Sequence, residues 1–176
     1  MKYPETRKAL VKFKDQVVEN AQRELGTTRV IKGKKVRRVN TDALRKSLFG
    51  VVKFRKQGFQ INFSSKMDYA SFIHEGVNGT KVKNNAPYSF KGKYVNIGAI
   101  KEYIKDSPKF KIRKNGRFVA KTKESINSTA FVVARSIAER GIVGLPYFSL
   151  GLETASKKDL DKIADSFALD AINILE

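Results

Sequence analysis

The chain has 176 residues, 41% of them hydrophobic, with a formal net charge of +19 and no Cys. One domain with a modest core fits that length, and the apolar content excludes wholesale disorder. The missing Cys removes disulfides, thiolate metal sites and Cys nucleophiles, and the charge points to polyanionic partners.

Residues 4–25 predict a helix: Leu10, Phe13, Val17, Ala21 and Leu25 recur at spacings of three and four, and Gly26 is its stop. The first residues carry charges throughout and no apolar signal core. Residues 28–39 predict a basic hairpin or arm turning at Lys32-Gly33-Lys34-Lys35. A short helix is expected at 41–48, capped by Asn40 or Thr41. Phe49–Phe54 and Phe59–Ser64 form the clearest hairpin, because Phe59, Ile61 and Phe63 alternate with polar residues. Asp68 is placed to cap a short helix whose Tyr69, Phe72 and Ile73 share a face, ended by Gly76.

Residues 77–96 read as a long loop, functional or mobile at that length. A short helix at 97–106 follows. The next hairpin, 109–122, alternates at Phe110, Ile112, Phe118 and Ala120 around Asn115-Gly116. The helix at 123–140 carries Ile126, Ala130, Val133, Ala134, Ile137 and Ala138 on one stripe, stopped by Gly141. After Gly144-Leu145-Pro146, a last helix over 149–175 places Leu160, Ile163, Ala164, Phe167, Ala168, Ala171 and Ile174 or Leu175 on one face. The fold class is therefore α+β: an antiparallel sheet of hairpins packed by long N- and C-terminal helices, in a single domain spanning 1–176 with extended loops.

Charge is uneven along the chain. Residues 27–66 hold 12 Lys and Arg against Asp42 alone, and residues 81–123 hold 13 against Glu102 and Asp106. Residues 150–176 reverse the balance, with six acids against three Lys. A basic body with an acidic last helix suits head-to-tail contact between copies, although a solvated surface would show the same pattern.

Chemistry is sparse. His74 is the only His, and a metal site built on it would need several carboxylates. The acids are too dispersed for a magnesium cluster, and Gly141-Ile142-Val143-Gly144 lacks the Lys and Ser or Thr of a phosphate loop. The expectation is no enzyme, no cofactor and no metal. Cations interleave with aromatics at Phe54-Arg55-Lys56, Phe90-Lys91-Gly92-Lys93-Tyr94 and Phe110-Lys111-Ile112-Arg113-Lys114. A free basic nucleic-acid-binding protein is thus one reading.

Two motifs carry a more specific one. Tyr69-Ala70 is followed by Glu75-Gly76 and Gly79-Thr80, and Leu145-Pro146-Tyr147-Phe148-Ser149-Leu150 leads into the final helix. With the segment Asn40–Leu48 and the element order, these resemble the tail-completion or neck proteins of tailed bacteriophages, also described as head–tail connector or minor tail components. The resemblance covers most of the chain. The departures are Leu145-Pro146 where that family has Arg-Pro, a longer 77–122 region, and an unusually charged 28–39 arm. What it implies is a virion structural protein, made in the bacterial host cytoplasm, in a closed ring, hexameric or dodecameric, around the DNA channel at the head–tail junction. Portal or adaptor and tail proteins would be its neighbours, with genomic DNA in reach and no membrane. The basic arm 27–40 and the loop around 79–95 would then reach adjacent subunits or DNA, through Lys32, Lys34, Lys35, Arg37, Arg38, Lys81, Lys83, Lys91 and Lys93. Tyr69, Phe72, Gly76, Gly79, Pro146, Tyr147 and Phe148 would carry the fold: Tyr69, Phe72 and Ile73 as core, the glycines as turns, and Pro146 as a helix start.

Overall fold

The computed structural model describes residues 3–31, 33–36, 42–55, 58–108 and 110–175, with only the backbone described for Lys34 and Val36. The chain reads from its sequence as one domain, without a linker. Its contacts gather into two compact units, residues 1–74 with 145–176 and, inserted between them in sequence, residues 75–144. The fold class is α+β, with long terminal helices packed together and small, mainly antiparallel sheets.

The first unit is built on α1 (Pro4–Gly26) and α6 (Tyr147–Leu175). Pro4 opens α1, where its missing N–H costs nothing. The expected face of Leu10, Phe13, Val17, Ala21 and Leu25 is buried. Phe13 and Val17 form a core with Ala155 of α6, flanked by Ile61, Phe63 and Ile163. The helices approach closely at Gly151, where an added Cβ would lie 2.8 Å from the Ala21 amide nitrogen and 2.9 Å from the Val17 carbonyl oxygen.

That approach shifts the inner face of α6 from the expected one, of which Ile163 still flanks the core. Its buried residues are Tyr147, Gly151, Ala155, Asp159 and Asp170, while Leu160, Phe167, Ile174 and Leu175 are exposed. Small side chains let two backbones meet where Leu and Phe would hold them apart. Asp170 is drawn in for a different reason. Its carboxylate accepts hydrogen bonds from the backbone N–H groups of Glu5 (3.1 Å) and Thr6 (2.7 Å) and from the Thr6 hydroxyl (2.7 Å). It thereby satisfies donors that the first turn of α1 leaves without helical partners. Burial raises the Asp170 pKa, but these bonds and nearby Lys8 outweigh it and hold the group below the usual carboxylate range.

β1 (Arg29–Ile31) and β2 (Lys34–Val36) form the expected basic hairpin, tethered by Arg29 to the buried Glu24 at 2.6 and 2.7 Å. The helix expected at 41–48 is α2 (Ala43–Ser47), and its N-cap position is held by Asp42. Asn40 and Thr41 lie outside the described residues. β3 (Leu48–Arg55) and β4 (Gly58–Ser65) pair as an eight-residue antiparallel ladder from Leu48↔Ser65 to Arg55↔Gly58. α3 (Ala70–Glu75) buries Ala70. Tyr69 is 43% and Phe72 40% exposed, so the apolar side chains expected to form the inner face of α3 are not core.

The second unit contains β5 (Gly76–Asn78), β6 (Tyr88–Ser89), α4 (Ile97–Asp106), β7 (Ile112–Lys114), β8 (Arg117–Val119), α5 (Lys123–Arg140) and β9 (Gly141–Val143). Its sheet runs β6-β5-β9, parallel in the first pair and antiparallel in the second. Ile104, Ile112 and Ala130 form its core, with Val119 packed against them. The β7–β8 register pairs Ile112 with Val119 and Arg113 with Phe118. The inward residue of β8 is therefore Val119, not Phe118 and Ala120: a two-residue loop fixes the register, and one position of slip changes the face.

Candidate functional site

The two motifs far apart in sequence meet in space. In the first unit the Leu145 amide donates to the Ile73 carbonyl (2.9 Å), and the buried Tyr147 hydroxyl donates to the Ala70 carbonyl (3.2 Å). His74 packs edge-on against Tyr147, with ring centroids 4.8 Å apart, and lies 6.1 Å from Phe148. Burial pushes the Tyr147 phenol up to about 12, so it acts as an uncharged anchor. Pro146 immediately precedes α6, as a helix start should.

In the second unit the same motifs supply β5 and β9, paired Gly76↔Val143, Val77↔Ile142 and Asn78↔Gly141. Four glycines make this possible. A Cβ on Gly144 would lie 2.5 Å from the Glu75 carbonyl carbon, and one on Gly76, whose φ is 86°, 2.5 Å from the Gly144 nitrogen. A Cβ on Gly79 or Gly141 would overlap backbone of the opposite segment. Gly76 and Gly79 are therefore more than turn residues; they mark close backbone approach.

The loop expected at 77–96 contains β6 and is pinned. The amides of Thr80, Lys81 and Val82 donate to the carbonyls of Ala138 and Glu139 at 2.9–3.1 Å, satisfying the C-terminal end of α5. Asn84 is buried, and its amide donates to the carbonyls of Val77 (2.9 Å) and Arg140 (3.0 Å). Asn78 accepts from the Asn84 and Ala86 amides and donates to the Ala86 carbonyl. The sequence presents these Asn residues only as loop formers; they are internal ties. Asn at 78 and 84 beside Gly79 was the available signal, but their partners lie more than fifty residues away in the case of Arg140.

The cationic candidates separate. Lys32, Arg37 and Arg38 lie outside the described residues, and the backbone of Lys34 sits in β2. Lys35 is exposed on the first unit. Lys81, Lys83, Lys91 and Lys93 are exposed on the second. Lys81 is committed to Glu139 at 3.0 Å, which Arg135 also bonds at 2.9 Å. Those two bonds, Arg135 first, hold the Glu139 carboxyl below its ordinary range. Lys93 lies 5.6 Å from the Tyr94 ring centroid. Two surface features go beyond what the sequence showed. One is on the β7–β8 hairpin, whose cations the sequence flagged at Phe110–Lys114 but whose Phe118, expected on the alternating face with Ile112, is 59% exposed with the Arg113 guanidinium 4.4 Å from its ring centroid. The other is an aromatic chain on the first unit, Phe54–Phe59–Tyr3–Phe167, with centroid separations of 5.4, 6.0 and 5.6 Å.

Among the described residues no three His, Asp or Glu side chains gather as a metal set, and no helix is long and apolar enough to cross a membrane. Comparisons with known protein families, characterised proteins and solved structures give no match to this chain.

Proposed function

We propose that this chain is a non-enzymatic virion subunit of a ring joining a phage head to its tail. The observation that carries this reading is the exposed apolar face of the first unit. Phe54, Phe59 and Phe167 are each at least 36% exposed, and Leu160, Ile174 and Leu175 continue the surface along α6. A protein that works alone rarely leaves so much connected apolar area in water. The opposite charge of α6 and of the basic segment 27–66 supports heterologous contact between copies, which closes into a ring when its rotation closes. The resemblance of the two motifs to neck proteins supplies the place, the head–tail junction, with portal or adaptor and tail proteins as neighbours.

Immunogold electron microscopy of the source particles tests this directly. Label at the head–tail junction is expected; absence of the chain from blotted, denatured virions would sink the reading. Phe167→Asp should abolish assembly measured by native mass spectrometry while leaving the circular dichroism of the free chain unchanged. Replacing Lys34, Lys35, Arg37 and Arg38 by Ala should likewise leave the fold intact and block particle assembly. A free nucleic-acid-binding protein is the competing reading, favoured by the excess of Lys and Arg over acids in residues 27–66 and 81–123; it expects those four substitutions to reduce DNA affinity and its salt slope instead.

A further inference from the structure

The β7–β8 hairpin places an aromatic ring and several cations on one outward surface. Asn115 and Gly116, with φ of 50° and 79°, form the tight turn that suits the natural twist of paired strands. Ile112 and Val119 point into the core of the second unit. The alternate positions, the cross-strand pair Arg113 and Phe118, therefore face away from it. Arg113 sits 4.4 Å and Lys111 5.5 Å from the Phe118 ring centroid. Lys114 and Arg117 pair across the ladder beside the turn.

Two further observations separate this surface from an ordinary solvated face. Between Asp106 and Glu124 the chain has seven Lys and Arg and no acid. Among the described residues no carboxylate pairs with Lys111, Arg113, Lys114 or Arg117. Beside the hairpin lies an open, mainly apolar groove of about 750 Å3, bordered by Arg113 and Lys114 and floored by Ile112, Val119 and Val132, with Glu124 as its one acid. An acidic peptide would use the cations but has no need of an outward ring. A duplex keeps its bases stacked and offers Phe118 no flat partner. A single strand uses all of it: phosphates on cations and an unstacked base on an aromatic.

We infer that the β7–β8 hairpin is a binding site for single-stranded nucleic acid, with phosphates held by Arg113, Lys114 and Arg117 and a base stacked on Phe118. This does not rest on the ring reading, and it is measured on the full purified chain whatever its assembly.

The test is fluorescence anisotropy with a 15-nucleotide oligo-dT and a 15-base-pair duplex across a salt series. The parent chain, Phe118→Ala and the triple variant Arg113→Ala/Lys114→Ala/Arg117→Ala are compared, with circular dichroism as the fold check. The triple variant should bind oligo-dT at least about tenfold more weakly and with a salt slope shallower by about two, since each phosphate contact contributes about 0.7 on a single strand. Phe118→Ala should weaken oligo-dT by about tenfold and leave duplex affinity unchanged. Equal oligo-dT binding by all three proteins would overturn the site. So would no binding by the parent chain, equal loss on duplex for Phe118→Ala, or polyglutamate competing as well as oligo-dT; the last outcome would mark a surface for acidic protein.

Discussion

The two units both carry excess positive charge, but they differ in where ion pairs form and in what surrounds their exposed aromatics. In the first, several cations pair locally: Lys8 with Glu5, Arg29 with Glu24, Lys157 with Glu153 and Lys162 with Asp159. Its exposed aromatics form a chain that touches the outer stripe of α6. In the second, the described ion pairs converge on Glu139, and what is left to water is positive charge around an aromatic. A connected run of exposed aromatics suits contact with protein. A cationic face without carboxylates suits a polyanion. One chain therefore presents two kinds of surface, and each is testable apart from the other.

The units also differ in what holds them, and substitutions at glycine break that comparison most sharply. In the second unit Gly141 has φ of 72°, and a Cβ there would overlap the Val77 carbonyl and the Gly79 amide. Gly141→Ala should cost more than about 3 kcal/mol, combining left-handed strain with overpacking. Gly116→Ala has a similar φ of 79° but open space around it, and should cost about 1 kcal/mol. Denaturant titration of the two variants checks the difference; equal losses would mean that the β5–β9 approach carries no special constraint.

In the first unit, Gly151→Ala sets two effects against each other. Helix propensity favours Ala by about 1 kcal/mol. Overpacking against α1 backbone at 2.8 and 2.9 Å costs about 1–3 kcal/mol. A net loss of about 1 kcal/mol is expected in the same titration, and a gain would show that the α1–α6 seam can relax.

Asp170→Asn tests the polar end of that seam. The folded carboxyl has a lowered pKa, so its stabilisation is complete above the unfolded value near ~4 and is lost as pH falls through the folded one. The variant should lower Tm at neutral pH, and its Tm should vary less with acid below about pH 4 than that of the parent chain. The smallest expected effect belongs to Tyr147→Phe. The phenol, raised to about 12, stabilises the fold below the unfolded value of about 10, and that contribution is lost as pH rises toward the folded value. The variant should therefore show a flatter stability profile above about pH 10, with little change at neutral pH apart from the lost bond to Ala70.

Amphipathic spacing alone determined α1 and α5, because each buries a local, regular stripe, Leu10 to Leu25 and Ala130 to Ala138; alternation likewise marked the β3–β4 ladder, of which Ile61 and Phe63 pack on the core while Phe59 stays exposed. Turn chemistry determined the stops at Gly76 and Gly141 and the Asn115-Gly116 hairpin. Only tertiary structure decided which side of α6 faces α1. Hydrophobic periodicity marks the stripe through Leu160, Phe167 and Ile174, but close helix approach selects Gly151 and Ala155, and the exposed amides of α1 select Asp170. Tertiary structure also decided that Tyr69 and Phe72 stay at the surface, and that Asn78 and Asn84 tie a loop to the end of a helix far along the chain. The reason is common to all of them: a residue's own neighbours in sequence specify local periodicity, whereas the partner that sets its burial arrives from a distant segment.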